Sequence, residues 1–290
     1  MQKQNSLKRF FGGAYIWPAM FLLLALLIVP LIYTVYSGFF QYKYMMKGNF
    51  VGLQNYIYCL SDKKIRASFM TTIGVTVAST AISIVGGLMM ALWIDRRGGF
   101  FSYLIEMVGL IPWVISMVVA GLLWRWLFNG DLGLFNLILK GLGMEPIYVI
   151  QNRNSAIIAL IFVMSWRTIG YSMVMLLAGL KGIDGTLLEA ARVDGATFLQ
   201  TLFRIRLPLI KSNLLLSTIV LTVSNFTNNT VPKVLTSGGP ANATNVITLE
   251  QYNLSFVYYE FGRSSALSVL IMAVVVVIIA CYIKVAKYEL

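Results

Sequence analysis

Few residues in this 290-residue sequence could do covalent chemistry. There is no His, which removes the usual general base and the commonest metal ligand. The two Cys, Cys59 and Cys281, fall in a loop and in an apolar run, so neither a disulfide framework nor a metal site is expected. No G-x-x-x-x-G-K-S/T loop occurs, and no Ser/His/Asp or Cys/His set can be assembled. No catalytic residue, metal ligand or cofactor of this chain is nominated, and no enzyme activity is expected. What remains is polar chemistry of the binding kind. Thr218, Thr222, Asn225 and Asn229 recur at helical spacing, with Ser224, Thr227 and Asn228 beside them. An amide in hydrocarbon needs several hydrogen-bond partners. Neighbouring helices can supply them, and so can a hydroxyl-rich ligand in a water-accessible cavity. Arg167, next to Trp166 near the middle of an apolar run, costs at least about 2.5–3.5 kcal/mol to insert, so it must face protein or water. Glu106 lies close to the end of its run, where a carboxylate reaches the interface.

The elements that position these residues are membrane spans. The chain is 58% hydrophobic with mean hydropathy +0.78, an integral membrane composition. A net charge of +12 is spread over the loops between apolar runs, the ordinary membrane pattern, and nucleic-acid binding is not expected. Six apolar runs, at about 14–38, 69–94, 103–128, 155–179, 212–232 and 264–286, are each long enough to cross ~30 Å of hydrocarbon. They are continuous rather than alternating, which excludes a closed β-barrel. The first is too long for a signal-peptide core and lacks a cleavage pattern, so it reads as a retained span. The expectation is an all-α integral membrane protein forming one domain over 1–290. A small excess of Lys/Arg in the inner segments weakly supports an inside N-terminus.

One charged stretch interrupts this pattern between the fourth and fifth spans. Residues 182–208 include Glu189-Ala190-Ala191-Arg192-Val193-Asp194-Gly195-Ala196 and end on Ile205-Arg206-Leu207-Pro208. Two short amphipathic helices are expected here. Thr186 and Glu189 form a T-x-x-E pair suited to reciprocal capping of the first helix. Asp194-Gly195 signals its end, since Gly takes the positive φ of a helix stop. Phe198, Leu199, Leu202 and Phe203 share one face of the second, and Pro208 resets the chain. From physics alone, the stretch also suits an interfacial hairpin resting on lipid headgroups.

The form EAARVDGA…F.I.LP resembles the EAA loop of ABC-importer membrane subunits, in the carbohydrate branch of maltose and glycerol-3-phosphate type. The resemblance extends to FVGL.NY at residues 50–56, to IPWVI around Pro112 and LLWRWLF around Trp126, and to the SGGP turn at 237–240, where Ser237 replaces one Gly of the family pattern. It implies the type I ABC importer permease fold: six transmembrane helices with a cytoplasmic coupling hairpin, both termini in the cytoplasm, and a bacterial cell membrane location. It implies that Glu189, Ala190, Ala191, Asp194, Gly195, Ile205, Leu207 and Pro208 dock into a separate ATPase subunit, with small Ala190 and Ala191 letting the helix seat closely. The implied partners are a second, different EAA-type permease subunit, two copies of an ABC ATPase subunit that use the ATP, an extracytoplasmic sugar-binding protein and the bilayer. Relatives with a sugar site in the transport path imply contacts at Met164, Arg167, Thr168, Tyr171, Leu221, Ser224, Asn225 and Asn228. Asn225, Asn228 and Tyr171 keep the chemistry of those relatives, whereas Arg167 and Leu221 depart from it. The implied function is import of a sugar or oligosaccharide, with a polyol phosphate or other small solute as the alternative cargo. A stand-alone secondary transporter would be expected to carry a coupling carboxylate or His deep in a span, and only Glu106 is a weak candidate.

Overall fold

The computed structural model describes residues 16–289. Ala14, where the first span is expected to begin, and the basic residues before it lie outside the described residues. The elements are α1 (Ile16–Gly38), β1 (Phe40–Lys43), β2 (Met46–Phe50), α2 (Gln54–Ser61), α3 (Lys63–Arg97), α4 (Gly99–Val114), α5 (Met117–Leu127), α6 (Leu134–Gly141), α7 (Arg153–Lys181) and α8 (Gly185–Val193). They continue with α9 (Phe198–Leu209), α10 (Lys211–Phe226), α11 (Thr230–Thr236), α12 (Ile247–Phe256) and α13 (Phe261–Glu289). Among the described residues four helices, α1, α3, α7 and α13, are long and apolar enough to cross a membrane, and the number is six if each of two bent pairs forms one span.

One bent pair breaks an expected span, and the other falls between the hairpin and the fifth span, where Pro208 is expected to reset the chain. The third span breaks into α4 and α5, which meet at 99°. Pro112 lies in the last turn of α4, and Ile115 and Ser116 are extended, with ψ of 137° and 139°. Proline removes a backbone donor and crowds the turn before it, so the helix ends soon afterwards. The fifth span is shorter than the pattern indicated. Helix α10 stops at Phe226, residues 227–229 are not helical, and α11 starts at Thr230. Asn225 and Asn228 therefore do not lie on successive turns of one helix. The other bent pair, α9 and α10, meets at 72°.

The chain falls into two compact units: residues 16–62 with Gln251–Ala273, and Lys63–Glu250 with residues 274–289. In the first, β1 and β2 pair antiparallel where the sequence suggested only a loop. Asn55 of the FVGL.NY stretch is buried, and its Nδ2 donates to the carbonyls of Gly38 and Phe40 at 2.9 Å each, so one amide pins the start of the hairpin. Arg263 pairs with Glu260 at 2.7 Å and lies 3.8 Å over the ring of Tyr58.

In the second unit α3 packs chiefly along α7. A stripe of small hydroxyl residues on α3 (Thr72, Thr76, Ser79, Thr80 and Ser83) is buried. Ser83 Oγ lies 2.8 Å from Thr168 Oγ1, and Ser165 Oγ donates to the Ser79 carbonyl at 3.4 Å. A Cβ on Gly87 would come within 2.6 Å of Ser172, so the crossing there needs glycine. Small residues and interhelical hydroxyl bonds are how helices associate in lipid, where hydrophobic burial supplies little. Near one end of α3 an apolar cluster of Ala91, Leu92, Ile94, Met173, Leu176, Leu177, Leu180, Leu202 and Ile210 joins α3, α7 and the start of α10 to α9.

Candidate functional site

The hairpin α8–α9 is built from local signals, one of them displaced from its expected place. Asp184 caps α8: its Oδ1 accepts the Thr186 N–H at 3.0 Å. The hydrogen bond from the Thr186 backbone holds the Asp184 carboxyl below its ordinary value. Thr186 thus already sits inside the helix, and the reciprocal Thr186–Glu189 cap does not form. The capping box lies one helix later, where Thr197 Oγ1 accepts the Gln200 N–H at 3.4 Å and Gln200 Oε1 accepts the Thr197 N–H at 2.7 Å. Helix α8 ends as its Asp-Gly pair indicated. Gly195 has φ +73°, and its N–H donates to the Arg192 carbonyl. Apart from its two chain neighbours, no heavy atom of the described residues lies within 4 Å of where its Cβ would be.

Helix α9 contains a π-helical turn over Leu202–Arg206. Pro208 lies inside the run, and the break falls two residues after it, at Ile210. The wider turn accommodates the donor that Pro208 lacks, since the Leu207 N–H donates to the Leu202 carbonyl. It also turns Leu202 and Arg206 inward, so Leu202 does not share the face expected for it with Leu199 and Phe203, which stay exposed. Arg206 is buried, with NH1 2.8 Å from Asp95 Oδ2 at the end of α3, while the Arg96 guanidinium lies 3.7 Å over the Phe198 ring. The partners of Asp95 and Arg96 stand more than a hundred positions away and leave no local signal.

Of the residues assigned to docking, Glu189, Ala190, Asp194, Gly195 and Pro208 are exposed, and Ile205 and Leu207 are half-buried. Ala191 is buried against its own chain, so of the two small residues Ala190 alone faces outward. Apolar side chains accompany them: Val193 is 87% exposed, Leu199 61% and Phe203 64%.

The eight pathway residues lie in the same unit but differ in setting. Met164, Thr168, Leu221, Asn225 and Asn228 are buried, whereas Arg167, Tyr171 and Ser224 are half-buried. Asn225 Nδ2 donates to Thr80 Oγ1 of α3 at 3.1 Å. Asn228, in the break after α10, accepts the Val231 N–H at 3.0 Å through Oδ1, and its carbonyl accepts from Thr248 Oγ1 at 3.2 Å. Thr168 Oγ1 donates to the Met164 carbonyl at 2.8 Å. The Tyr171 ring packs on Trp113 with centroids 5.6 Å apart. Arg167 Nε is buried and has no hydrogen-bond partner among the described residues. On the same stripe, Thr222 meets Tyr282 Oη at 3.1 Å. The amides thus find helix partners in this conformation, one of the two ways their needs could be met. Among the described residues no group of three or more His, Cys, Asp or Glu is placed to hold a metal.

Residues 83–286 match the family described as binding-protein-dependent transport system inner membrane component. The chain is 32% identical over 276 residues to the osmoprotective compounds uptake permease protein GgtC of Synechocystis sp., covering 93% of this chain and 96% of that protein. It is also 32% identical over 282 residues to the trehalose/maltose transport system permease protein MalF of Thermococcus litoralis, covering 96% and 94%. Among solved structures, a bacterial ABC transporter involved in the import of the acidic polysaccharide alginate superposes with a TM-score of 0.86 over 99% of both chains, at 19% identity, a likeness of fold.

Proposed function

We propose that this chain, which belongs to the binding-protein-dependent transport system inner membrane component family, is a permease subunit of an ATP-driven importer that moves a sugar or oligosaccharide across the cell membrane. The observation that carries this reading is the hairpin α8–α9, which projects exposed apolar and small side chains while its base is fixed to α3 and α7. A surface of that kind suits a groove on a partner. The partner in this reading is an ATPase subunit, present in two copies, which binds and hydrolyses the ATP. This chain binds no cofactor and catalyses nothing. A second, different permease subunit completes the pathway, and an extracytoplasmic binding protein delivers the cargo. The name of one of the two 32%-identical relatives, for trehalose/maltose, supports a polyhydroxylated cargo, and that of the other, for osmoprotective compounds, supports import of a small solute.

In this reading 1–290 acts as one permease domain with both termini cytoplasmic. Met164, Arg167, Thr168, Tyr171, Leu221, Ser224, Asn225 and Asn228 line the pathway when the bundle opens. Because most of them are buried here, contact with cargo requires a second arrangement of the helices, one that ATP and the loaded binding protein would each favour. A second reading, import of a polyol phosphate, is favoured by one observation: the Arg167 Nε lacks a partner among the described residues.

Two measurements test the reading. An ATPase subunit should co-purify with the chain, and single-Cys labelling in a background lacking Cys59 and Cys281 should place residues 60, 141 and 243 outside and residues 97 and 195 inside. Labelling of a Cys at position 195 by an impermeant reagent in intact cells overturns the orientation and the coupling role with it. Competition for uptake by neutral and by phosphorylated polyols separates the two cargo classes.

A further inference from the structure

We infer that α3 links the coupling hairpin mechanically to the outer loop before α12, and that Asp95, Arg206, Lys64 and Glu250 are the positioning residues of its two joints; the inference rests on the permease reading above. Helix α3 runs unbroken for 35 residues. At 1.5 Å per residue that is about 52 Å, well beyond the ~30 Å of hydrocarbon, so both of its ends stand clear of the membrane core.

At the hairpin end, Asp95 pairs with Arg206 at 2.8 Å, with both side chains largely buried. Arg96 stacks on Phe198 one residue further along. The π turn of α9 presents Arg206 to this pair, and Leu202 from the same turn enters the apolar cluster with Ala91, Leu92 and Ile94 of α3. Movement of α9 is therefore felt at the end of α3.

At the opposite end, Lys64, Ser68 and Thr72 stand one turn apart on one face of α3, and all three engage the segment 245–250. Lys64 Nζ is 2.9 Å from Glu250 Oε2, whose side chain is 4% exposed. Asn245 Nδ2 donates to Ser68 Oγ at 3.1 Å and to Glu250 Oε2 at 2.6 Å. The Ile247 N–H donates to Thr72 Oγ1 at 2.7 Å. This grip fixes the loop that follows the SGGP turn.

Buried ion pairs are a weak source of net stability, because the desolvation cost offsets most of the attraction, and losing one partner leaves an uncompensated charge. What they supply is direction and register. One largely buried pair, Asp95–Arg206, and one pair buried on its Glu250 side and half-buried at Lys64 stand at opposite ends of one unbroken helix, each holding a different loop, and are placed to make the loops move together. The physical requirement for coupling is a shared element that both sites bias, and α3 touches both.

The test uses the full complex of permease subunits and ATPase in vesicles. A fluorophore is attached at Ala241→Cys, an exposed outer-loop position, in a chain carrying Cys59→Ser and Cys281→Ser. ATP with vanadate is the probe, and ATP hydrolysis is followed in parallel. Three chains are compared with the parent: Asp95→Asn/Arg206→Gln, Lys64→Gln/Glu250→Gln, and all four substitutions together. Removing both charges of a pair avoids a stranded ion. The parent should report an ATP-dependent change at the outer loop. Each pair-removal variant should hydrolyse ATP while the ATP dependence at the probe weakens roughly 2- to 30-fold. The combined variant should lose no more than the worse pair alone, since a linkage broken at one joint is already broken. An unchanged response in both pair variants, losses that multiply in the combined variant, or no response in the parent overturns the inference. Where a pair variant fails to assemble, Arg206→Lys and Glu250→Asp, which keep the charge and alter the reach, decide between a weakened and an unchanged response. A parent chain that recruits no ATPase defeats the permease reading instead, and does so before any variant is made.

Discussion

The hairpin α8–α9 and the polar stripe of α10 treat their key side chains in opposite ways. The hairpin turns Glu189, Ala190, Asp194 and Gly195 outward, with Val193, Leu199 and Phe203 exposed beside them. The stripe turns inward: Asn225 is 3% exposed and bonded to Thr80, and Asn228 holds the first turn of α11. Exposed apolar groups on a hairpin whose base is fixed are spare binding capacity, available without any rearrangement. Buried amides that already have partners are committed, and can serve a ligand only by exchanging one partner for another. In the proposed reading, one region is a docking surface as it stands, and the other becomes a pathway only in a second state.

Four substitutions or conditions break or sharpen that contrast. The largest effect is expected at Val193→Asp. A surface change of this kind alters folding by less than about 0.5 kcal/mol, whereas loss of a docking contact costs about 2 kcal/mol or more, near 30-fold in ATPase-subunit affinity. Co-purification and thermal unfolding measured side by side read the two numbers. Equal ATPase recovery from Val193→Asp and the parent would remove the hairpin from the interface.

Next comes Asn225→Ala, which leaves the Thr80 hydroxyl unpaired in a buried position and should cost about 1–3 kcal/mol. The loss should show in uptake and also in the stability of the chain. Thr80→Val with Asn225→Leu separates the two roles, because removing both partners of a buried hydrogen bond is close to neutral for packing. A normal melting temperature with depressed sugar uptake assigns the amide to the cargo. Normal uptake in that double variant makes the stripe helix packing alone.

Third is Gly195→Ala. The φ of +73° costs an L-residue about 1–2 kcal/mol, roughly 5- to 30-fold in the population of the hairpin as drawn. Because space around Gly195 is open within its own chain, the penalty should appear as weaker ATPase binding without loss of folded protein. A parallel fall in folded yield would contradict a local effect.

The smallest effect concerns pH. The Asp184 carboxyl sits below its ordinary value because it accepts from Thr186. A group depressed in the folded state adds stability above its unfolded pKa and loses it as pH falls through the folded value. Acidification through and below the carboxylate range should therefore speed hydrogen exchange at the Thr186 amide, and Asp184→Asn should abolish that dependence. Exchange that ignores pH after correction for the intrinsic rate would deny the cap.

What could be read from the sequence follows the reach of each signal. The presence of long apolar helices and the Asp194-Gly195 stop depend on neighbours within a few positions, and they reappear in the structure. The face expected from Phe198, Leu199, Leu202 and Phe203 is instead split by the π turn, which buries Leu202 and leaves Leu199 and Phe203 exposed. The cap was misplaced by the same local logic: Asp184 and Thr186 both suit an N-cap, and composition does not say which wins. The break after Phe226 was missed because Thr227, Asn228 and Asn229 continue a helical period while lacking the strength to continue a helix. Asp95–Arg206, Lys64–Glu250 and Asn225–Thr80 were invisible because each pairs residues far apart in the chain. The buried hydroxyls of α3 did carry a signal, a spacing of three and four from Thr72 to Ser83, that marks a helix-contact face.

The exposed apolar side chains of the hairpin also bear on how much of this protein a cell can tolerate. Val193, Leu199 and Phe203 are exposed on the hairpin. If the hairpin docks an ATPase as proposed, a copy without that subunit would show solvent a sticky patch of the sort that drives self-association. Supply of the subunits would thereby be constrained: copies made in excess of the ATPase would carry a mark by which chaperones and proteases recognise unassembled protein, and the docked complex would be the form in which that mark is hidden.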